Sequence, residues 1–149
     1  MIRVLIVDGQ DEVRKGVRMR LDIEPDIAIV GETGKAGEAL YLAQALDPGV
    51  IVVDIAMRGA QGVTLVERLR AATPAAAVVV LTLRVDNDAR ARAREAGVHA
   101  YLEKNGGGGE LLQAIRQLVG NATAERRRNM QPNPEQNVLD QTVSGGSPG

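Results

Sequence analysis

The sequence predicts a doubly wound α/β domain built on a parallel sheet, and three observations carry that expectation. Short, near-continuous Val/Ile/Leu runs recur along the first hundred residues, as strands buried on both faces require. Stretches of helical apolar period separate them, which is the alternation of a parallel sheet with crossover helices. Four polar residues, Asp8, Asp54, Thr82 and Lys104, follow the ends of four of these runs. Strands are expected near 2–7, 27–31, 50–53, 77–82 and 99–102. The helix over 11–23 is indicated by Val13, Val17 and Leu21 at spacing four, and that over 35–46 by Ala36, Ala39, Leu40, Ala43 and Leu46. Leu65, Val66, Leu69 and Ala72 mark a helix over 62–72, and Leu111, Leu112, Ile115, Leu118 and Val119 a clear stripe over 109–119. The fourth helix, 87–96, is unusual because its apolar side chains are all Ala, interleaved with Arg90, Arg92 and Arg94, so shallow packing is expected.

Composition narrows the function classes. An apolar share of 44% can fill a core, and with two Tyr and no Phe or Trp that core must be aliphatic. A net charge of −1 offers no electrostatic case for nucleic acid. The absence of Cys excludes disulfide and thiolate chemistry. Seven largely apolar residues before Asp8 are too few for a signal peptide or a membrane span, which leads us to expect a soluble, cytoplasmic protein without membrane contact. The pattern stops after Gly120. The expected organisation is a domain over 1–120 and a disordered tail over 121–149, too short and polar for a DNA-binding output module.

In a parallel sheet the strands point one way, so residues just past their carboxyl ends share one edge, where open α/β sheets bind ligands. Two carboxylates, a hydroxyl and an ammonium are thus expected to meet. Each has a plainer alternative. A lone Asp after an apolar run often serves a turn or helix cap, Thr ends many strands, Lys104 could be a solvated surface lysine, and Tyr101 could be simple packing. His99, the only histidine, has no second ligand in the pattern and reads as structural.

Leu5-Ile6-Val7-Asp8, Val52-Val53-Asp54-Ile55-Ala56-Met57-Arg58-Gly59, Leu81-Thr82 and Tyr101-Leu102-Glu103-Lys104 stand in the order and spacing of the receiver domain of bacterial two-component response regulators, and residues 1 to about 120 resemble that family. Val13-Arg14-Lys15-Gly16-Val17 and the stretch from Glu24 to Glu32 look most like the subfamily that usually carries a LuxR-type helix-turn-helix, a module not expected within residues 121–149. The resemblance implies a flavodoxin-like receiver fold with strand order 2-1-3-4-5. It implies that Asp54 is the phosphoacceptor for a histidine kinase or phosphorelay protein, with Mg²⁺ held by Asp8, Asp54 and the backbone carbonyl of Ala56. Lys104 would neutralise a phosphoryl oxygen, Thr82 would donate its hydroxyl to another, and Tyr101 would follow Thr82 inward. Output would pass to a downstream protein partner, and dimerisation through the fourth and fifth helices belongs to the same family repertoire. No enzymatic activity of its own is implied.

Three departures fall in the loops of that edge. The second acidic position after the first strand is Gly9, which should weaken Mg²⁺ binding; Asp11 follows but reads as a helix N-cap. Met57-Arg58-Gly59 lacks the family's Pro, and Arg58 or Arg84 could pair with Asp54 in place of a metal. Gly106 to Gly109 replace a capping residue and a Pro before the fifth helix. The resulting expectation is a receiver with weakened metal binding. The rival is a degenerate pseudo-receiver that binds a partner without phosphate. A small nucleotide-binding enzyme is disfavoured, because Asp8-Gly9-Gln10-Asp11-Glu12 is acidic where a phosphate cradle needs exposed amides.

Overall fold

The computed structural model describes residues 1–55, 62–83, 86–104 and 108–130. Along the chain run β1 (Ile2–Val7), α1 (Asp11–Asp22), β2 (Ile27–Thr33), α2 (Ala36–Leu46), β3 (Val50–Val53), α3 (Gly62–Ala72), β4 (Ala77–Thr82), α4 (Asn87–Glu95), β5 (Ala100–Glu103) and α5 (Gly108–Met130). The strands are all parallel and lie in the order β2-β1-β3-β4-β5. The fold class and strand order are as the sequence predicts.

Alternation along the strands divides the core in two. Leu5, Val7, Ile51, Val53, Val78 and Val80 face Ala39 and Ala43 of α2 and Leu65, Val66 and Leu69 of α3. Their neighbours Val4, Ile6, Val50, Val52, Val79 and Leu81 face Val17 and Leu21 of α1 and Leu111 and Ile115 of α5. Each fully buried aliphatic side chain stabilises the fold by about 1.5–3 kcal/mol relative to exposure, so an aliphatic core of this extent needs no aromatic ring. Between Val4 and Leu5 the β1–β2 register skips Val30, a bulge that lets β2 continue to Thr33, beyond the predicted 31.

Residues Met1–Val119 form one compact unit, and the described residues from Gly120 to Met130 belong to a second. Apolar periodicity ends the fifth helix near 119, yet α5 is helical to Met130, with residues 121–130 exposed. Ala122, Ala124, Glu125 and the three arginines 126–128 are strong helix formers, a preference that a search for a buried stripe does not register. The rest of the expected tail, 131–149, lies outside the described residues. Among the described residues no helix is long and apolar enough to cross a membrane.

Candidate functional site

Because β1, β3, β4 and β5 end at one edge, Asp8, Asp54, Thr82 and Lys104 arrive there together. The Lys104 ammonium bridges two carboxylates, Nζ lying 2.9 Å from Asp8 Oδ2 and 2.8 Å from Asp54 Oδ2. These side chains are at most 7% exposed. Removing one partner from a pair this buried leaves an uncompensated charge, a loss of about 3–5 kcal/mol. Backbone ladders fix all three: the Asp8 N–H donates to the Thr33 carbonyl at 3.0 Å, that of Asp54 to Val7 at 2.9 Å and that of Lys104 to Thr82 at 2.6 Å. Thr82 is itself buried beside them.

The loop after β1 is tied from both sides. The Gln10 backbone N–H donates to Asp8 Oδ1 at 2.9 Å, and Lys104 Nζ donates to Gln10 Oε1 at 3.4 Å. Arg14 donates to the Asp8 carbonyl and to Asp11 Oδ1, both at 2.7 Å. Gly34 makes room for this, since a Cβ there would stand 2.9 Å from Arg14 Nη1 and 3.3 Å from the Asp8 carbonyl oxygen. The expectation that Asp11 caps α1 is not met. Gln10 occupies the N-cap position, and Asp11, the first helical residue, is directed outward by its pair with Arg14.

Tyr101 sits apart from the acidic cluster. It is half-buried against the α2–α3 side of the core, and the Arg90 guanidinium carbon lies 5.7 Å from its ring centroid. Arg90 Nε is buried without a hydrogen-bond partner among the described residues. Ala56, Arg58 and Arg84 lie outside the described residues. His99 is structural: its Nδ1 accepts from the Val78 N–H at 3.0 Å, extending the β4 ladder at the sheet edge.

The 2-1-3-4-5 parallel sheet is the fold of the family that the sequence comparisons reach. Residues 4–116 match the family model described as the response regulator receiver domain. The chain belongs to the response regulator receiver family. The transcriptional regulatory protein LiaR of Bacillus subtilis (strain 168) is 35% identical over 116 residues, covering 78% of this chain and 55% of LiaR. The response regulator GacA of Pseudomonas aeruginosa is 38% identical over 119 residues, covering 79% of this chain and 55% of GacA. A crystal structure of a LuxR-family two-component response regulator from Aurantimonas sp. SI85-9A1 superposes with a TM-score of 0.75 at 30% identity, over 80% of this chain and 85% of that one. The chain thus spans about half the length of the curated relatives it matches.

Receiver domains typically bind Mg²⁺ at the phosphorylation site. The donors at this edge suit such a hard cation, since they are oxygens of two carboxylates already gathered around one positive charge. Among the described residues no group of three or more His, Cys, Asp or Glu side chains could hold a metal. Sequence reasoning overlooked Gln10 and Arg14. The available signal was Gln at the residue entering α1, a position where Ser, Thr, Asp and Asn are the usual caps.

Proposed function

We propose that this receiver accepts a phosphoryl group on Asp54 from a phosphohistidine of a histidine kinase or phosphorelay protein, and hands the signal on through protein–protein contacts. The observation that carries this reading is the buried Asp54 carboxylate, 2.8 Å from the Lys104 ammonium at the carboxyl edge of the sheet. An Asp54 oxygen bonds to phosphorus as the P–N bond breaks, and that bond's electron pair goes to the imidazole nitrogen. The product is an acyl phosphate. Phosphoryl transfer asks mainly for positioning and charge neutralisation. Lys104, held by the Thr82 carbonyl, supplies a fixed positive charge to a phosphoryl oxygen, and the Thr82 hydroxyl donates to another. Mg²⁺, when bound, offsets phosphoryl charge, with Asp8, Asp54 and the Ala56 carbonyl as its protein ligands in this reading. The receiver is a signalling domain rather than an enzyme.

Intact-protein mass after incubation with acetyl phosphate, with and without Mg²⁺, tests the proposal. The expected result is one phosphoryl adduct that requires Mg²⁺ and is absent in Asp54→Asn. No adduct under conditions that load an ordinary receiver would defeat it. The pseudo-receiver reading is favoured by Gly9 and by the engagement of Asp11 with Arg14. A Gly9→Asp variant separates the two: a large gain in loading marks a weakened acceptor, and no gain marks a site lost in other ways.

A further inference from the structure

We propose that the side-chain amide oxygen of Gln10 is the third side-chain oxygen of this receiver's cation seat, beside those of Asp8 and Asp54, taking the place of the carboxylate missing at Gly9. The inference rests on the phosphoacceptor reading in one respect, that the cation is Mg²⁺. Lys104 Nζ marks the seat. Asp54 Oδ2 at 2.8 Å, Asp8 Oδ2 at 2.9 Å and Gln10 Oε1 at 3.4 Å converge on that single positive charge. The first comes from the end of β3 and the other two from the loop after β1, so the fold brings together donors far apart in sequence.

Gln10 acts on the seat twice. Its backbone N–H holds Asp8 Oδ1, which leaves Oδ2 turned toward the ammonium, and its side chain adds an acceptor of its own. Although it stands at the N-cap of α1, that side chain makes no capping hydrogen bond. The nearest alternative acid, Asp11, is 86% exposed and paired with Arg14. Among the described residues no third carboxylate or imidazole completes the group, and the Gln10 side chain is the further oxygen at the seat, a neutral one. Gln amides serve hard cations in that role. A neutral donor leaves the seat with two formal negative charges, one of them offset by Lys104. Metal and ammonium therefore compete for the same oxygens, and affinity should depend on both Gln10 and Lys104.

Calorimetric titration of the full chain with MgCl₂ tests this directly, with far-UV circular dichroism confirming that each variant is folded. Gln10→Ala should weaken Mg²⁺ binding about tenfold, the lower end of losses on removing a group that supports a metal site. Gln10→Glu should strengthen binding by restoring a charge, and Lys104→Met should strengthen it by vacating the seat. Equal affinity in the parent and Gln10→Ala would overturn the proposal, as would a parent that binds no Mg²⁺ or a Lys104→Met variant that binds no better. The acetyl phosphate experiment keeps the two readings apart. Loading of Asp54 with Gln10-independent Mg²⁺ binding defeats only the Gln10 assignment. Gln10-dependent binding with no adduct defeats only the phosphoacceptor reading.

Discussion

Helices α1 and α4 both lie close behind a strand that ends at the acidic edge, yet they are held in opposite ways. The start of α1 is tied through Gln10 to Asp8, through Arg14 to the Asp8 carbonyl and to Asp11, and farther along Arg18 reaches Glu32 at 3.3 Å. Val17 and Leu21 bury its inner face. α4 buries one side chain, Ala93, and its N-terminus is capped by Asp86, which accepts from the Asp88 N–H at 2.9 Å. Its C-terminus is held from α3, where the Arg70 guanidinium donates to the carbonyl of Gly97, a residue at φ 95°. Arg90 adds the stack on Tyr101. Few apolar contacts and mostly polar tethers mark segments that open at low free energy. α1 is therefore seated mainly by burial and by its ties to the Asp8 loop, and α4 mainly by polar tethers.

The largest effect that would break this comparison is in the cores beneath the two helices. Leu21, 1% exposed, fills the α1–α5 side, and Leu21→Ala should destabilise the domain by about 2–5 kcal/mol. Ala93→Gly removes the one buried side chain of α4, a single methyl group, and should cost only about 1–2 kcal/mol through helix propensity and lost burial. Urea unfolding of both variants checks this. Similar losses would show that α4 is seated as firmly as α1.

A smaller effect sharpens the comparison at the Arg90–Tyr101 stack. Cation–π contacts contribute about 0.5–1 kcal/mol where partly exposed, and the unpartnered Nε subtracts from that gain. Arg90→Met should therefore leave stability nearly unchanged while altering the surroundings of the ring. With Tyr41 and Tyr101 the only tyrosines and no Trp present, emission in a Tyr41→Phe background reports Tyr101 alone. A spectrum indifferent to Arg90→Met would remove the stack as a tether of α4.

Backbone-scale features of this chain were legible because they repeat. The Val-rich runs gave strands wherever both faces are covered, and one-way strands then forced Asp8, Asp54, Thr82 and Lys104 to one edge. What escaped the sequence depends on single side-chain choices. Asp11 and Gln10 are both plausible at a helix start, and only the position of Arg14 decides which turns outward. Arg90 stands in the sequence as one of three arginines interleaved with Ala, and nothing local signals that its guanidinium reaches the Tyr101 ring of β5. The extension of α5 to Met130 rests on propensity without burial, and periodicity is blind to it.

His99 offers the subtlest comparison, because its imidazole works as backbone rather than as a catalyst. Its N–H donates to the Val78 carbonyl at 2.9 Å, and its ring Nδ1 accepts from the Val78 N–H at 3.0 Å, so one residue closes both polar groups of Val78. Only the unprotonated Nδ1 can accept. Burial, and then the Arg70 charge, hold the His99 pKa below its ordinary value near 6.5. The unfolded chain therefore binds the proton more readily, and stability should rise with pH between the folded pKa and about 6.5, then level off. Urea unfolding across that window should show a small positive slope in the parent, and His99→Ala should remove that contribution while lowering stability on the alkaline side. A slope unchanged by the substitution would place the titrating group elsewhere. The tie would then be a contact of geometry alone, and the β4–β5 edge, from which α4 leaves and to which it returns, would be insensitive to mild acid.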